Sequence, residues 1–169
     1  MLTSGVAEGP WRSFSAGHFL HSCAAAAAAP FHQRGGWREL EQALADRLLG
    51  GPLNPSPVLC EWAYLGREGL EVYLYVHCSN TEPIQEGGDD YPGVSVPILV
   101  VCDVHGGIQE VQAPGSGTRY PQGIRRLFPP RVQEMIFERQ IDFRALSDHL
   151  ALRREDPDLP PLYVSGGGN

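Results

Sequence analysis

Val58-Leu59-Cys60-Glu61-Trp62-Ala63-Tyr64-Leu65, then Gly66-Arg67-Glu68-Gly69, then Leu70-Glu71-Val72-Tyr73-Leu74-Tyr75-Val76-His77-Cys78-Ser79 is the stretch that decides the fold. Apolar and aromatic residues fill both flanks, and a polar tetrapeptide bounded by glycines separates them, which predicts a β-hairpin over 58–65 and 70–79. Taking Arg67-Glu68 as the loop sets Ala63 opposite Val72, Trp62 opposite Tyr73 and Cys60 opposite Tyr75. Strand side chains alternate between two faces. In this register Leu59, Ala63, Leu65, Leu70, Val72, Leu74, Val76 and Cys78 share an aliphatic face, with Glu61 as its exception. Val58, Cys60, Trp62, Tyr64, Tyr73, Tyr75 and His77 share the other, which is aromatic and amphipathic.

Upstream, Trp37, Leu40, Leu44 and Leu48 recur at helical spacing, with Glu39, Glu41, Gln42 and Asp46 on the solvent side. This predicts a helix over 37–49, stopped by Gly50-Gly51-Pro52 and followed by a stiff connector over 52–57. Downstream, an acidic loop over 80–93 leads to a second hairpin, 94–104 and 108–113, turning at Gly106-Gly107. Pro97 lacks an amide donor and belongs on an edge or at a bulge. Helices are expected over 120–128, 131–139 and 142–154, the last with Asp142 as N-cap. The expected fold class is α+β: an N-terminal helix, a four-stranded antiparallel sheet and C-terminal helices, in a cystatin-like or NTF2-like two-layer arrangement. Such a topological analogy carries no activity. The expected organisation is a flexible segment over 1–35, one domain over 36–154 and a loose tail over 155–169.

The chain has 169 residues and 42% hydrophobic content, which suits a single domain. None of its 13 basic residues is lysine. That excludes a P-loop lysine, a kinase phosphate lysine and a Schiff-base lysine. The net charge of −7 argues against nucleic acid as a partner. Charge is unevenly spread: residues 55–118 carry −8 and residues 119–154 carry +4. No apolar run approaches the ~20 residues of a membrane span. Glu8 precedes Arg12, and His18 and His21 interrupt the apolar stretch, so residues 1–30 match a cleaved signal poorly. The expected location is the cytoplasm, with export as the alternative if that segment is a signal.

Gly115-Ser116-Gly117-Thr118-Arg119-Tyr120, Ile124-Arg125-Arg126-Leu127-Phe128-Pro129 and the amphipathic run Val132-Gln133-Glu134-Met135-Ile136-Phe137 follow the second hairpin. This segment, about a quarter of the chain, resembles a pattern of small uncharacterised bacterial proteins, some of them exported. The resemblance implies a bacterial α+β protein and assigns no activity.

Trp62, Tyr64, Tyr73, Tyr75 and His77 form the candidate pocket, with Glu61 or Asp103 as nearby acids. The competing expectation is that a C-terminal helix packs on that face. Arg125, Arg126 and Arg131, with Arg119, Arg139 and Arg144 around them, form a candidate patch for an acidic partner. Cys102-x-x-His105, His77-Cys78 and the group His18, His21 and Cys23, with His32 nearby, are the candidate metal ligands. None fits a tetrahedral template, and no metal or other cofactor is expected. Cys60, Cys78 or Cys102 can pair if the protein is exported and stay reduced if it is cytosolic. Gly93-Val94-Ser95-Val96-Pro97 fails the nucleophile-elbow pattern at its last position. The expectation is a soluble, non-enzymatic binding or accessory module acting on an unknown protein or small-molecule partner. The alternative is an NTF2-like pocket enzyme using acid/base residues on the aromatic face.

Overall fold

A computed structural model describes residues 36–50 and 57–165. Within them, helix α1 (Gly36–Leu48) precedes β1 (Val58–Glu68), β2 (Glu71–Asn80), β3 (Gly93–Cys102) and β4 (Ile108–Gln112). Helices α2 (Tyr120–Leu127), α3 (Pro130–Phe137) and α4 (Phe143–Glu155) follow, and then a short strand β5 (Tyr163–Ser165). The sheet runs β4-β3-β2-β1-β5. Its first four strands are antiparallel neighbours, while β5 lies parallel to β1. The fold is α+β, and the helices and strands follow the hydrophobic periodicities closely. The expected flexible segment over 1–35 and most of the connector over 52–57 lie outside the described residues.

The hairpin register differs from the expected one. β1 continues through Arg67 and Glu68, and the loop is Gly69-Leu70. Gly69 takes φ 57° there, at the first loop position, as a type II′ turn requires. A bulge between Tyr64 and Gly66 then sets Tyr64 opposite Leu74, Trp62 opposite Val76 and Cys60 opposite Cys78. The slip relative to expectation is three residues. An odd slip turns the faces of β1 over with respect to β2. Cys60 and Trp62 therefore join Val72, Leu74, Val76 and Cys78, whereas Ala63 and Leu65 join Tyr73 and Tyr75.

Each face has its own helical cover. Trp37, Leu40 and Leu44 of α1 pack on the Trp62 side, against Ile98 and Val100 of β3 as well. Ile124 and Leu127 of α2, Val132 and Ile136 of α3, and Leu146 of α4 pack on the Tyr73 side. Helices on both faces make three layers, in place of the expected two-layer cystatin-like or NTF2-like arrangement. The reason is local: both faces of the two-stranded core are apolar, so each must be covered. Asp142 caps α4 as expected, its carboxylate accepting from the Ala145 amide at 3.0 Å. Pro97 lies opposite Tyr75 on β3, beyond the point where β4 stops pairing at Leu99. Its missing donor therefore interrupts no ladder bond.

Cys60 and Cys78 are joined by a disulfide between directly opposed residues, with Cα atoms 4.0 Å apart. Cys102 is likewise disulfide-bonded. The expected loose tail is corrected over 155–165. Arg38 pairs with Asp158 at 2.6 Å, the Leu159 carbonyl accepts from Arg153 Nε at 2.7 Å, and β5 pairs with Trp62, Ala63 and Tyr64. Among the described residues no helix is long and apolar enough to cross a membrane.

Candidate functional site

At its Cys60 end, the edge of β1 is closed by side chains from both helical layers. Arg153, on the inner stripe of α4 behind Leu146 and Leu150, is fully buried. Its Nη1 donates to Glu41 Oε1 at 2.7 Å and to the Cys60 carbonyl at 2.8 Å, and its Nη2 donates to Glu41 Oε2 at 3.1 Å. Glu41 Oε1 also accepts from the Cys60 amide at 2.8 Å. Glu41 was expected to face solvent; it is buried because α1 lies along the unpaired part of β1, whose backbone groups need partners. Glu61, fully buried, accepts from the Leu162 amide at 2.6 Å and lies 2.9 Å from His149 Nδ1 and 3.4 Å from Arg153 Nη1. Burial pushes the Glu61 carboxyl above its ordinary range, opposed by the His149 and Leu162 hydrogen bonds and the Arg153 charge. Every guanidinium nitrogen of Arg153 and every carboxylate oxygen of Glu41 and Glu61 has a protein partner, so we read the network as the clamp that joins α1, β1, α4 and the C-terminal segment.

The second cluster lies on the face that α2, α3 and α4 cover, at the other end of β2 from its hairpin. His77 and Ser95 are cross-strand partners, with Nδ1 and Oγ 2.6 Å apart. Burial and the nearby Arg154 charge hold the His77 imidazole below its usual range. Arg154 lies 3.8 Å over the Tyr91 ring, and its Nη2 donates to Ser79 Oγ at 3.0 Å.

The third feature is a cleft of about 570 Å³ beside the bulged end of β1. Tyr64, Gly66, Arg67 and Glu68 of β1, Tyr73 of β2, and Arg131, Val132, Glu134 and Met135 of α3 line it. The Tyr73 hydroxyl donates to Glu71 at 2.7 Å. Burial, with that carboxylate beside it, holds the phenol well above its usual range, so it stays a neutral donor.

The expected pocket is thus divided. Trp62 lies under α1, on the far side of the sheet from Tyr73, Tyr75 and His77. Tyr73 lines the cleft from the α2–α4 side, while Tyr64 packs against the Trp62 cluster and borders the cleft where the bulge turns the β1 backbone. Tyr75 is covered by Phe143, ring centroids 4.9 Å apart, and His77 belongs to the second cluster. The helices fill the face that an NTF2-like chamber needed. Of the expected acidic-partner patch, Arg131 lines the cleft, while Arg125 and Arg126 stand exposed on α2. Asp103 holds the Gly106-Gly107 turn, accepting from the His105 and Gly107 amides at 2.7 and 2.9 Å, bonds that lower its pKa.

Neither Arg153 nor Arg154 was singled out from the sequence. A signal for Arg153 was present: it continues the stripe Phe143, Leu146, Leu150 at helical spacing, and a charge on an apolar stripe needs a buried partner. Glu61, the acid on an aliphatic face, was the other half of that signal. The disulfides remove Cys78 and Cys102 as thiolate ligands. Among the described residues no three His, Cys, Asp or Glu side chains converge as a metal site; His18, His21 and Cys23 lie outside them. Comparison with family models, with curated proteins and with solved structures finds no match to this chain.

Proposed function

We propose that this chain is a non-enzymatic binding module whose ligand site is the cleft between β1 and α3, and that its partner presents an acidic, extended peptide segment. The observation that carries the reading is the cleft itself. Its volume of about 570 Å³ falls within the usual size of ligand sites. Tyr73 offers an apolar ring with a polar tip, and Arg67 and Arg131 offer planar forks suited to carboxylates. Glu68 and Glu134 balance those charges inside the cleft, so selection for an acidic partner comes from Arg125 and Arg126 on the adjoining helix.

The disulfides support a reading in which the protein works in an oxidising compartment, the exported alternative. The test is an NMR titration of the isotope-labelled, oxidised protein with two blocked peptides of equal length, one glutamate-rich and one lysine-rich. The glutamate-rich peptide should shift the amides of Gly66, Arg67, Val132 and Met135, and Arg131→Glu should weaken it at least tenfold. Equal binding of both peptides, or no saturable change at the cleft at millimolar peptide, removes the reading.

A further inference from the structure

Arg153 and Arg154 are consecutive residues with opposite circumstances. Arg153 is buried against two carboxylates. Arg154 is half-buried, and among the described residues no carboxylate pairs with it. Its Nε is shut off from solvent and has no hydrogen-bond partner. Among the described residues its side chain meets a neutral hydroxyl, Ser79 Oγ, and the face of Tyr91. A guanidinium withdrawn from water without a counter-charge is costly to hold.

Among the described residues, the groups in contact with it and with its neighbours add donors and no negative charge. Ser79 and His77 alternate on the same face of β2, and Ser95 stands opposite His77 on β3. Ser95 is exposed and its Oγ is in contact with the imidazole. Ser79 Oγ already donates to the Pro92 carbonyl at 3.1 Å, so it is an acceptor for Arg154 and leaves the positive charge uncompensated. His77 takes a lowered pKa from burial and from Arg154 itself. One stretch of surface therefore carries an unpaired cation, a hydroxyl donor, an imidazole and an aromatic ring, in a protein whose net charge is −7.

We propose that Arg154, with Ser95 and His77 beside it, forms a binding site for an oxyanion: the phosphate, sulfate or carboxylate group of a small ligand. The ligand supplies the counter-charge that the fold withholds from Arg154, and the Tyr91 ring keeps the guanidinium plane in place. Arginine with hydroxyl donors is the donor set that such groups select. The site is separate from the β1–α3 cleft and does not depend on the peptide reading.

The test uses the full, oxidised chain with inorganic phosphate, sulfate and acetate as probes, followed through the His77 ring signals by NMR. At least one of the three should give a saturable shift at His77 in the millimolar range or tighter. The preferred probe identifies which oxyanion source the site takes. Arg154→Gln should weaken that binding at least tenfold, while Arg47→Gln, on the exposed side of α1, should leave it within twofold. Ser95→Asp places a negative charge in the site and should weaken binding by a similar factor, which keeps the test decisive if Arg154→Gln fails to fold. Absence of saturable binding by all three probes overturns the proposal, as does equal loss in Arg47→Gln or full retention in Ser95→Asp.

Discussion

Replacing Arg153 with methionine should cost about 4 kcal/mol, within the ~3–5 kcal/mol expected when one partner of a buried ion pair is removed. The figure follows from what the substitution leaves behind. Glu41 loses both of its guanidinium contacts, at 2.7 and 3.1 Å, and keeps only the Cys60 amide. The Cys60 and Leu159 carbonyls each lose their donor. An unsatisfied buried polar group costs about 1–3 kcal/mol, so three acceptors set a gross loss of about 3–9 kcal/mol. Protonation and relaxation of the orphaned carboxylates reduce that gross figure. Glu61 is protected in part, since His149 and the Leu162 amide remain. Against a typical total of ~5–15 kcal/mol, the variant should fold but with a strongly lowered urea midpoint. The assay is urea unfolding of the oxidised protein followed by far-UV circular dichroism, with Arg154→Gln as control. The control has no ion pair to break and should lose no more than about 1 kcal/mol. A loss below about 1 kcal/mol for Arg153→Met would refute the reasoning and show that the β1 edge holds without its clamp.

Other consequences can be checked with the same unfolding assay. Reducing Cys60–Cys78, which spans 18 residues, should lower stability by about 3 kcal/mol on the chain-entropy model; an unchanged midpoint with reductant would contradict it. Arg139 closes α3 at φ 54°, so Arg139→Gly should raise stability by about 0.5–1 kcal/mol while Arg139→Ala should not; equal effects of the two would show that the left-handed backbone is not the cause. Glu61 binds its proton more tightly folded than unfolded, so its contribution is greatest below the ordinary pKa of 4.5 and is lost as pH rises through the raised folded value. Relative to Glu61→Gln, the wild type should therefore lose stability as pH rises through that window, and a pH-independent gap between the two would count against a raised pKa.

The cleft and the clamp were only partly legible beforehand, for a definite reason. Tyr64, Tyr73 and Arg131 were each named as candidates, but on two different surfaces. Their meeting depends on a bulge, and a bulge inserts one residue without changing the composition around it. Glu61 and Arg153 each broke an apolar pattern, which marks a buried charge without saying which partner satisfies it. Glu41 broke no pattern at all, since a glutamate opposite a leucine stripe is what a solvent-facing helix position ordinarily carries.

From sequence alone come the α+β class, the order of the first helix, four antiparallel strands and C-terminal helices, the buried stripe Trp37, Leu40, Leu44 and the Asp142 cap. These rest on local periodicity and local capping, which are written over a few consecutive residues. Register, layer count, the Cys60–Cys78 pairing and the clamp were decided only by the tertiary structure. They depend on which residues lie opposite across the sheet, and a slip of an odd number of residues exchanges every face while leaving the hydrophobic alternation of each strand unaltered.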